Sequence, residues 1–200
     1  RGPGGPMENP MISLQINEKS FADQIIFKAF AFSLKRGQRI GLMGPSGVGK
    51  TTLMRIIAGL DKNFDGTRHI DGRLAMMFQE PTLIPWLSVR DNLSITARAN
   101  EAAIQAALCT VGLADKIEAF PDTLSLGQQR RIALVRAWLY PHDCLLLDEP
   151  FASLDHDNQA VVREHLQLIL QDPSVAAVIV SHNQYELEGL VNEIVDLEYV

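Results

Sequence analysis

At 200 residues, 46% apolar and 21% charged, the chain has the size and composition of one globular domain, or of one domain carrying a small inserted lobe. A formal net charge of −6 argues against a nucleic-acid binder, which needs a basic surplus. No apolar run approaches the ~18–20 residues of a membrane span, and the N-terminus lacks the charged-then-apolar layout of a signal peptide, so a cytoplasmic protein is expected.

Arg1 to Pro6 (RGPGGP) reads as a flexible remnant ahead of a start at Met7. Ile12-Ser13-Leu14-Gln15-Ile16 alternates apolar and polar as a half-buried strand does, and Phe30, Phe32 and Leu34 repeat the period of two. Two such runs joined by a polar stretch predict an antiparallel patch at the N-terminus. Arg39 to Met43 is a third strand running into a glycine-rich turn, after which Thr51 to Ala58 reads as a helix capped by Gly59. Leu74 to Phe78 is a further strand. From Pro81 to about Leu126 the pattern is mostly helical, with one helix opened by Asn100 and closed by Gly112. Strand and helix signals then alternate: Cys144–Leu147, Asp157–Leu170, Val175–Val180, Gln184–Leu190 and Ile194–Leu197. The pattern predicts an α/β fold, a mostly parallel sheet with helices on both faces and a helical lobe inserted into it. Cys109 and Cys144 have no metal-ligand spacing, and Cys144, heading an apolar run, reads as a small core side chain.

Gly44-Pro45-Ser46-Gly47-Val48-Gly49-Lys50-Thr51, followed by Thr52, matches G-x-x-x-x-G-K-[ST] between a strand and a helix. Its glycines let backbone N–H groups converge on phosphate oxygens, and the helix N-terminus adds partial positive charge. Lys50 is placed to reach the β and γ phosphates, and the Thr51 hydroxyl to hold Mg2+. Alone, the motif specifies only a nucleotide binder. Leu145-Leu146-Leu147-Asp148-Glu149 is an apolar strand ending in two carboxylates, at the end of the sheet where ligands bind in open α/β folds. Asp148 is placed to support the magnesium shell, and Glu149 to polarise an attacking water. Without the upstream phosphate loop an ordinary acidic loop after a core strand would be an equal reading of the pair.

The combination resembles the ATP-binding-cassette (ABC) ATPase family from Leu14 to His182. The decisive piece is Leu124-Ser125-Leu126-Gly127-Gln128, similar to the family's LSGGQ signature, with Arg131 and Arg136-Ala137 following. The resemblance implies that Ser125, Gly127 and Gln128 face ATP bound by a partner subunit. Gln79 resembles the Q-loop glutamine that reaches magnesium and water. Ser153-Leu154-Asp155 resembles the D-loop that crosses the dimer interface, and His182 the switch histidine of the γ-phosphate. Phe21, 23 positions before Gly44, stands where the family places an aromatic on adenine, with Phe27 close by as the other candidate. Leu126 departs from the usual Gly. The region between Gly66 and Leu74 is short, implying a trimmed antiparallel lobe, and with 18 residues after His182 no C-terminal regulatory domain is expected.

The implied organisation is a P-loop ATPase core, 7–80 and 130–200, carrying the antiparallel lobe, with a helical signature lobe at 81–129. Two subunits would close head to tail on two ATP molecules. The run Pro81-Thr82-Leu83-Ile84-Pro85-Trp86-Leu87-Ser88-Val89-Arg90-Asp91-Asn92 resembles that of ATPases of nitrate, sulfonate and taurine importers, where it lines the groove for a membrane subunit. An exposed Trp86 suits a docking surface, and packing inside the lobe is its alternative. The expected partners are a permease, a solute-binding protein and a second copy of the chain in a homodimer, with no nucleic acid, at the inner face of the cell membrane. The other reading the residues leave open is a soluble ABC ATPase in cofactor assembly or another non-transport role.

Overall fold

The computed structural model describes residues 10–199 apart from 23 and 98, so Arg1–Pro6 and the expected start at Met7 lie outside the described residues. Strand β1 (Ile12–Phe21) pairs antiparallel with β2 (Gln24–Leu34) through Ile12 opposite Leu34 and Ile16 opposite Phe30. Ile12, Leu14 and Ile16 are buried on one face, as the alternation predicts, but the strand runs on to Phe21 because the hairpin continues past the apolar run. After β3 (Arg39–Met43) and helix α1 (Lys50–Ile57), β4 (Asp65–Ile70) pairs along the other side of β1. This completes a three-stranded antiparallel sheet in the order β2-β1-β4.

The second sheet is wholly parallel. It is formed by β3 with β5 (Leu74–Met77), β6 (Cys144–Asp148), β7 (Ala176–Val180) and β8 (Glu193–Asp196), in the order β5-β6-β7-β3-β8. Every residue of β6 and of β7 is buried, which is why both read as unbroken apolar runs rather than alternating ones. Each buried leucine of Leu145–Leu147 contributes on the order of 1.5–3 kcal/mol. The parallel arrangement carries the ends of β3, β5, β6 and β7 to one edge, so the segments after them converge there.

Between β5 and β6 lie α2 (Val89–Ala97), α3 (Glu101–Thr110), two short 3-10 turns and α4 (Leu126–Leu139). Asn100 caps α3 by accepting from the Ala103 amide, and Gly112 follows it with φ +67°. Residue 129, where the sequence reading ends the inserted lobe, falls in the first turn of α4. That helix serves two cores: Ile132 and Val135 pack with Val89, Leu93, Ile104 and Leu108, whereas Ala133, Leu134 and Ala137 pack with Leu145 and Leu147. Helix α5 (His156–Ile169) is capped by Asp155. Helix α6 is shorter than its sequence pattern predicts, Gln184–Leu187 rather than through Leu190, because Glu188 is extended and Gly189 takes φ +74°.

Candidate nucleotide site

The phosphate loop owes its shape to two glycines. Gly49 has φ +109°, and a Cβ there would lie 2.6 Å from Ile26 Cγ2 and 2.8 Å from Phe27 Cζ of β2. Gly44 has φ +134°, and its Cβ would meet the Leu197 carbonyl at 2.5 Å. Any other residue would push the loop off the sheets that seat it. Lys50 curls back so that Nζ donates to the carbonyls of Gly44 at 2.6 Å and Pro45 at 3.0 Å, holding its ammonium at the mouth of the loop. The Tyr199 hydroxyl donates to the Ser46 carbonyl at 2.6 Å, a brace from the far end of the chain that no local pattern announces.

Loop and strand ends enclose a cavity of about 290 Å³ lined by Ser46, Gly47, Gly49, Lys50, Thr51, Thr52, Gln79, Asp148, Glu149 and Val180. Thr51 Oγ1 donates to Asp148 Oδ2 at 2.9 Å, while Asp148 Oδ1 is buried without a hydrogen-bond partner. Burial, reinforced by the neighbouring Glu149, raises the Asp148 pKa above the ordinary carboxylate value, against the Thr51 hydrogen bond and the Lys50 charge. A hard cation at this hydroxyl and carboxylate would satisfy the bare oxygen and favour the charged form. Among the described residues no group of three or more His, Cys, Asp or Glu could hold a metal ion. The Thr51 hydroxyl and the single Asp148 carboxylate are donors that fit Mg2+, which is bound by few protein oxygens together with phosphate and water.

Glu149 follows β6 with φ +54°, an uncommon value for a residue with a Cβ, and its amide donates to the Val180 carbonyl at 3.2 Å. This turn brings Glu149 Oε2 to 2.9 Å from Nδ1 of His182, which follows β7 and is largely exposed. Gln79, two residues beyond β5, is exposed at the cavity edge. The segment after it is held by α4: Arg136 donates to the Thr82 carbonyl at 2.9 Å, to Thr82 Oγ1 at 2.9 Å and to the Pro81 carbonyl at 3.0 Å.

The remaining sequence candidates lie apart from this cavity. Ser125 caps α4 through a reciprocal box, accepting from the Gln128 amide at 3.2 Å while the Gln128 side chain accepts from the Ser125 amide at 2.9 Å. Ser125 and Leu126 are exposed, and Gly127 packs against Leu154. Ser153 has φ +58°, and Asp155 accepts from the Asn158 amide at 2.9 Å. Arg130 of α4 donates to the Ala152 carbonyl, tying the signature helix to this turn. Phe27 is 3% exposed and packed under Gly49, whereas Phe21 is 51% exposed at the hairpin tip. Trp86 is 78% exposed.

First-turn chemistry separates the helices. α2, α3, α5 and α6 carry Asp91, Glu101, Asp157 and Glu186 in their first turns, as the helix dipole favours. α1 and α4 carry no acidic residue there, so no first-turn carboxylate competes with an external anion at their N-termini. These are the helices that open on the phosphate loop and on the signature. A larger groove of about 480 Å³ lies at Gln184–Ile194, but Glu188 and Glu193 line it without a lysine or arginine, the wrong charge for phosphate.

Comparison with known proteins agrees with this chemistry. The model of the family described as "ABC transporter" matches residues 27–152. The chain is 38% identical over 189 residues to the aliphatic sulfonates import ATP-binding protein SsuB 2 of Burkholderia cenocepacia (strain HI2424), covering 87% of this chain and 68% of that one. It is 36% identical over 193 residues to SsuB 1 of Paracoccus denitrificans (strain Pd 1222), covering 94% and 80%. The fold matches that of an ATP-binding cassette solved as a dimer in a post-hydrolysis state with ADP and phosphate, with TM-score 0.84, 24% identity and 94% of each chain covered. The phosphate loop, the carboxylate pair and the signature thus occur together on the fold they require, and the chain belongs to the ABC transporter family as an ATP-binding domain.

Proposed function

We propose that the protein binds and hydrolyses ATP as the motor subunit of an importer of small anionic solutes of the sulfonate class. The observation that carries the reading is the pair of acid-free helix N-termini, one at the phosphate loop and one at Ser125. Ser125 does not line the phosphate cavity, so the second anion-ready terminus that it caps suits a nucleotide held by another copy. Two chains related head to tail would give each ATP one phosphate loop and one signature.

In this reading the backbone amides at Ser46–Thr52 cradle the phosphates, and Lys50 leaves its carbonyl contacts to meet them. Phe21 offers its free face to adenine. Thr51 and Asp148 would hold Mg2+, which neutralises charge on the phosphate oxygens. Glu149 orients and polarises the attacking water, and His182 holds its carboxylate from the neighbouring strand. Gln79 closes the cavity edge. ATP contacts both copies only in the closed dimer, so it favours that state by its differential affinity, and loss of the γ-phosphate releases it. Ser153 and Asp155 lie on the segment that would cross between copies.

Trp86 and the rigid segment around it would receive the permease at the inner face of the membrane, and a solute-binding protein outside would select the solute. Names of the sulfonate-import relatives support this class of cargo. Glu149→Gln protein, captured with ATP and Mg2+ from gently solubilised native membranes, should bring down a polytopic permease. Recovery of soluble partners alone would favour an assembly ATPase instead.

A further inference from the structure

Lys19 is among the largest side chains that the fold buries, 1% exposed. A buried ammonium is costly unless it is paired and hydrogen-bonded, and an apolar residue of similar volume often serves a core as well. Lys19 is fully engaged: Nζ donates to Asp61 Oδ1 at 3.0 Å and to the Asn63 carbonyl at 2.7 Å, with Asp61 Oδ2 at 2.8 Å. Burial acts to raise the Asp61 pKa, but the Lys19 hydrogen bond and the Asn63 amide outweigh it and hold the carboxyl below its ordinary value. Asp61 and Asn63 belong to the segment leaving α1, the helix that opens on the phosphate loop.

The same ammonium lies 4.4 Å from the centroid of Phe21. Lys19 and Phe21 are two apart on β1, and a register shift falls between Lys19 and Ser20. Since Lys19 is buried and Phe21 half exposed, the cation sits on the inner face of the ring and the outer face is open. Opposite Lys19 across the hairpin is Phe27, which packs under Gly49 of the phosphate loop. The ring is thereby fixed relative to the phosphate loop from two directions.

We propose that Lys19 is a positioning residue for base recognition: anchored by Asp61 and the Asn63 carbonyl, it pins Phe21 from beneath and draws π density from the ring, so that the outer face accepts a purine. The proposal rests on the reading of Phe21 as the ring that stacks on adenine. A cation beneath an aromatic ring orients it by the attraction of charge for the ring quadrupole. Withdrawal of density from the far face reduces repulsion between the two stacked π systems.

The test compares Mg-ATP with Mg-tripolyphosphate, which has the phosphates without the base, by calorimetry on the full chain. Phe21→Ala should weaken ATP about tenfold and leave tripolyphosphate unchanged. Lys19→Met/Asp61→Asn, which removes both charges together, should weaken ATP roughly fivefold with tripolyphosphate again unchanged, and should add no further loss on the Phe21→Ala background. If Phe21→Ala binds ATP normally, the adenine reading of Phe21 is wrong and the proposal falls with it. If Phe21→Ala loses affinity but the Lys19 pair variant does not, the platform stands and the proposal alone is overturned. Equal loss of tripolyphosphate would make Lys19 a folding residue, also overturning it. Should the pair variant not fold, Lys19→Gln keeps a donor for Asp61 without the charge and must show the same selective loss, and normal ATP binding by it rejects the proposal.

Discussion

Glu149 Oε2 and His182 Nδ1 meet at 2.9 Å although the residues are 33 positions apart, because β6 and β7 are parallel neighbours and end at the same level. The contact couples the carboxylate proposed to polarise water to a second loop, so that it has a defined direction. Glu149→Gln should keep ATP affinity within about twofold and lower steady-state turnover by roughly 10²–10⁴-fold, the usual worth of a positioned acid–base group. His182→Ala should also leave binding intact and slow turnover. Near-normal hydrolysis by Glu149→Gln would remove that residue from the chemistry.

Ser125 caps α4 at an acid-free helix terminus, and its proposed contact with an anion is separable from that cap. Ser125→Ala should cost about 1 kcal/mol for the lost cap, lowering the melting temperature by roughly 2–4 °C. Ser125→Asp should restore the cap while placing a negative charge where an anion is to bind. Melting temperatures and ATP-driven dimerisation, measured by size-exclusion chromatography on the Glu149→Gln background, separate the cap from that contact. Ser125→Asp should be as stable as the parent yet fail to dimerise, and dimerisation of that variant would detach the signature from nucleotide binding.

His165 is 2% exposed, stacked edge-on against Trp138 with ring centroids 4.5 Å apart. Thr110 Oγ1 donates to the Ala107 carbonyl at 2.7 Å, so at 2.8 Å from His165 Nδ1 it acts as acceptor, which puts the neutral ring's proton on Nδ1. Nε2 is buried and unpartnered, and burial lowers the pKa from 6.5 to about 4. The unfolded chain therefore binds the proton between these values and the folded chain does not. The stabilisation is complete above about pH 6.5 and lost as pH falls towards 4, roughly 2 kcal/mol by pH 5. Urea denaturation of His165→Phe should show less loss of stability between pH 7 and pH 5 than the parent by that amount.

Asn92 is fully buried, and its side chain closes the segment that carries Trp86. Oδ1 accepts from the Ile84 amide at 2.7 Å, and Nδ2 donates to the carbonyls of Ile84 at 3.1 Å, Leu87 at 3.0 Å and Ser88 at 3.0 Å. Asn92→Leu should destabilise the fold by about 2–4 kcal/mol, since several buried backbone groups lose their partner at once. Trp86→Ala should stay within about 0.5 kcal/mol of the parent and retain soluble ATPase activity, while losing co-purification with the permease. Retained membrane capture would place the docking surface elsewhere.

The local elements were legible wherever chemistry and position coincide within a few residues. The phosphate loop declares itself because glycine at Gly44 and Gly49 is what its backbone geometry requires. The cap at Asn100 and the buried strand Cys144–Asp148 follow from single-turn and single-strand patterns. The N-terminal hairpin is readable in its apolar half and not in its polar half, where pairing with β2 rather than an apolar alternation keeps β1 extended.

What the amino-acid order determined by itself was the set of reactive groups and the α/β pattern carrying them, since both depend on short-range spacing. Tertiary structure alone decided which groups meet. The parallel order β5-β6-β7-β3-β8 assembles Gln79, Asp148, Glu149, His182 and the phosphate loop at one edge and leaves Ser125 facing outward. It also decided that Phe27 is buried and Phe21 open, that Arg136 grips the turn after Gln79, and that Lys19 lies beneath an aromatic ring. These contacts join residues from two to more than fifty positions apart, and burial and sheet register, properties of the whole fold, fix them.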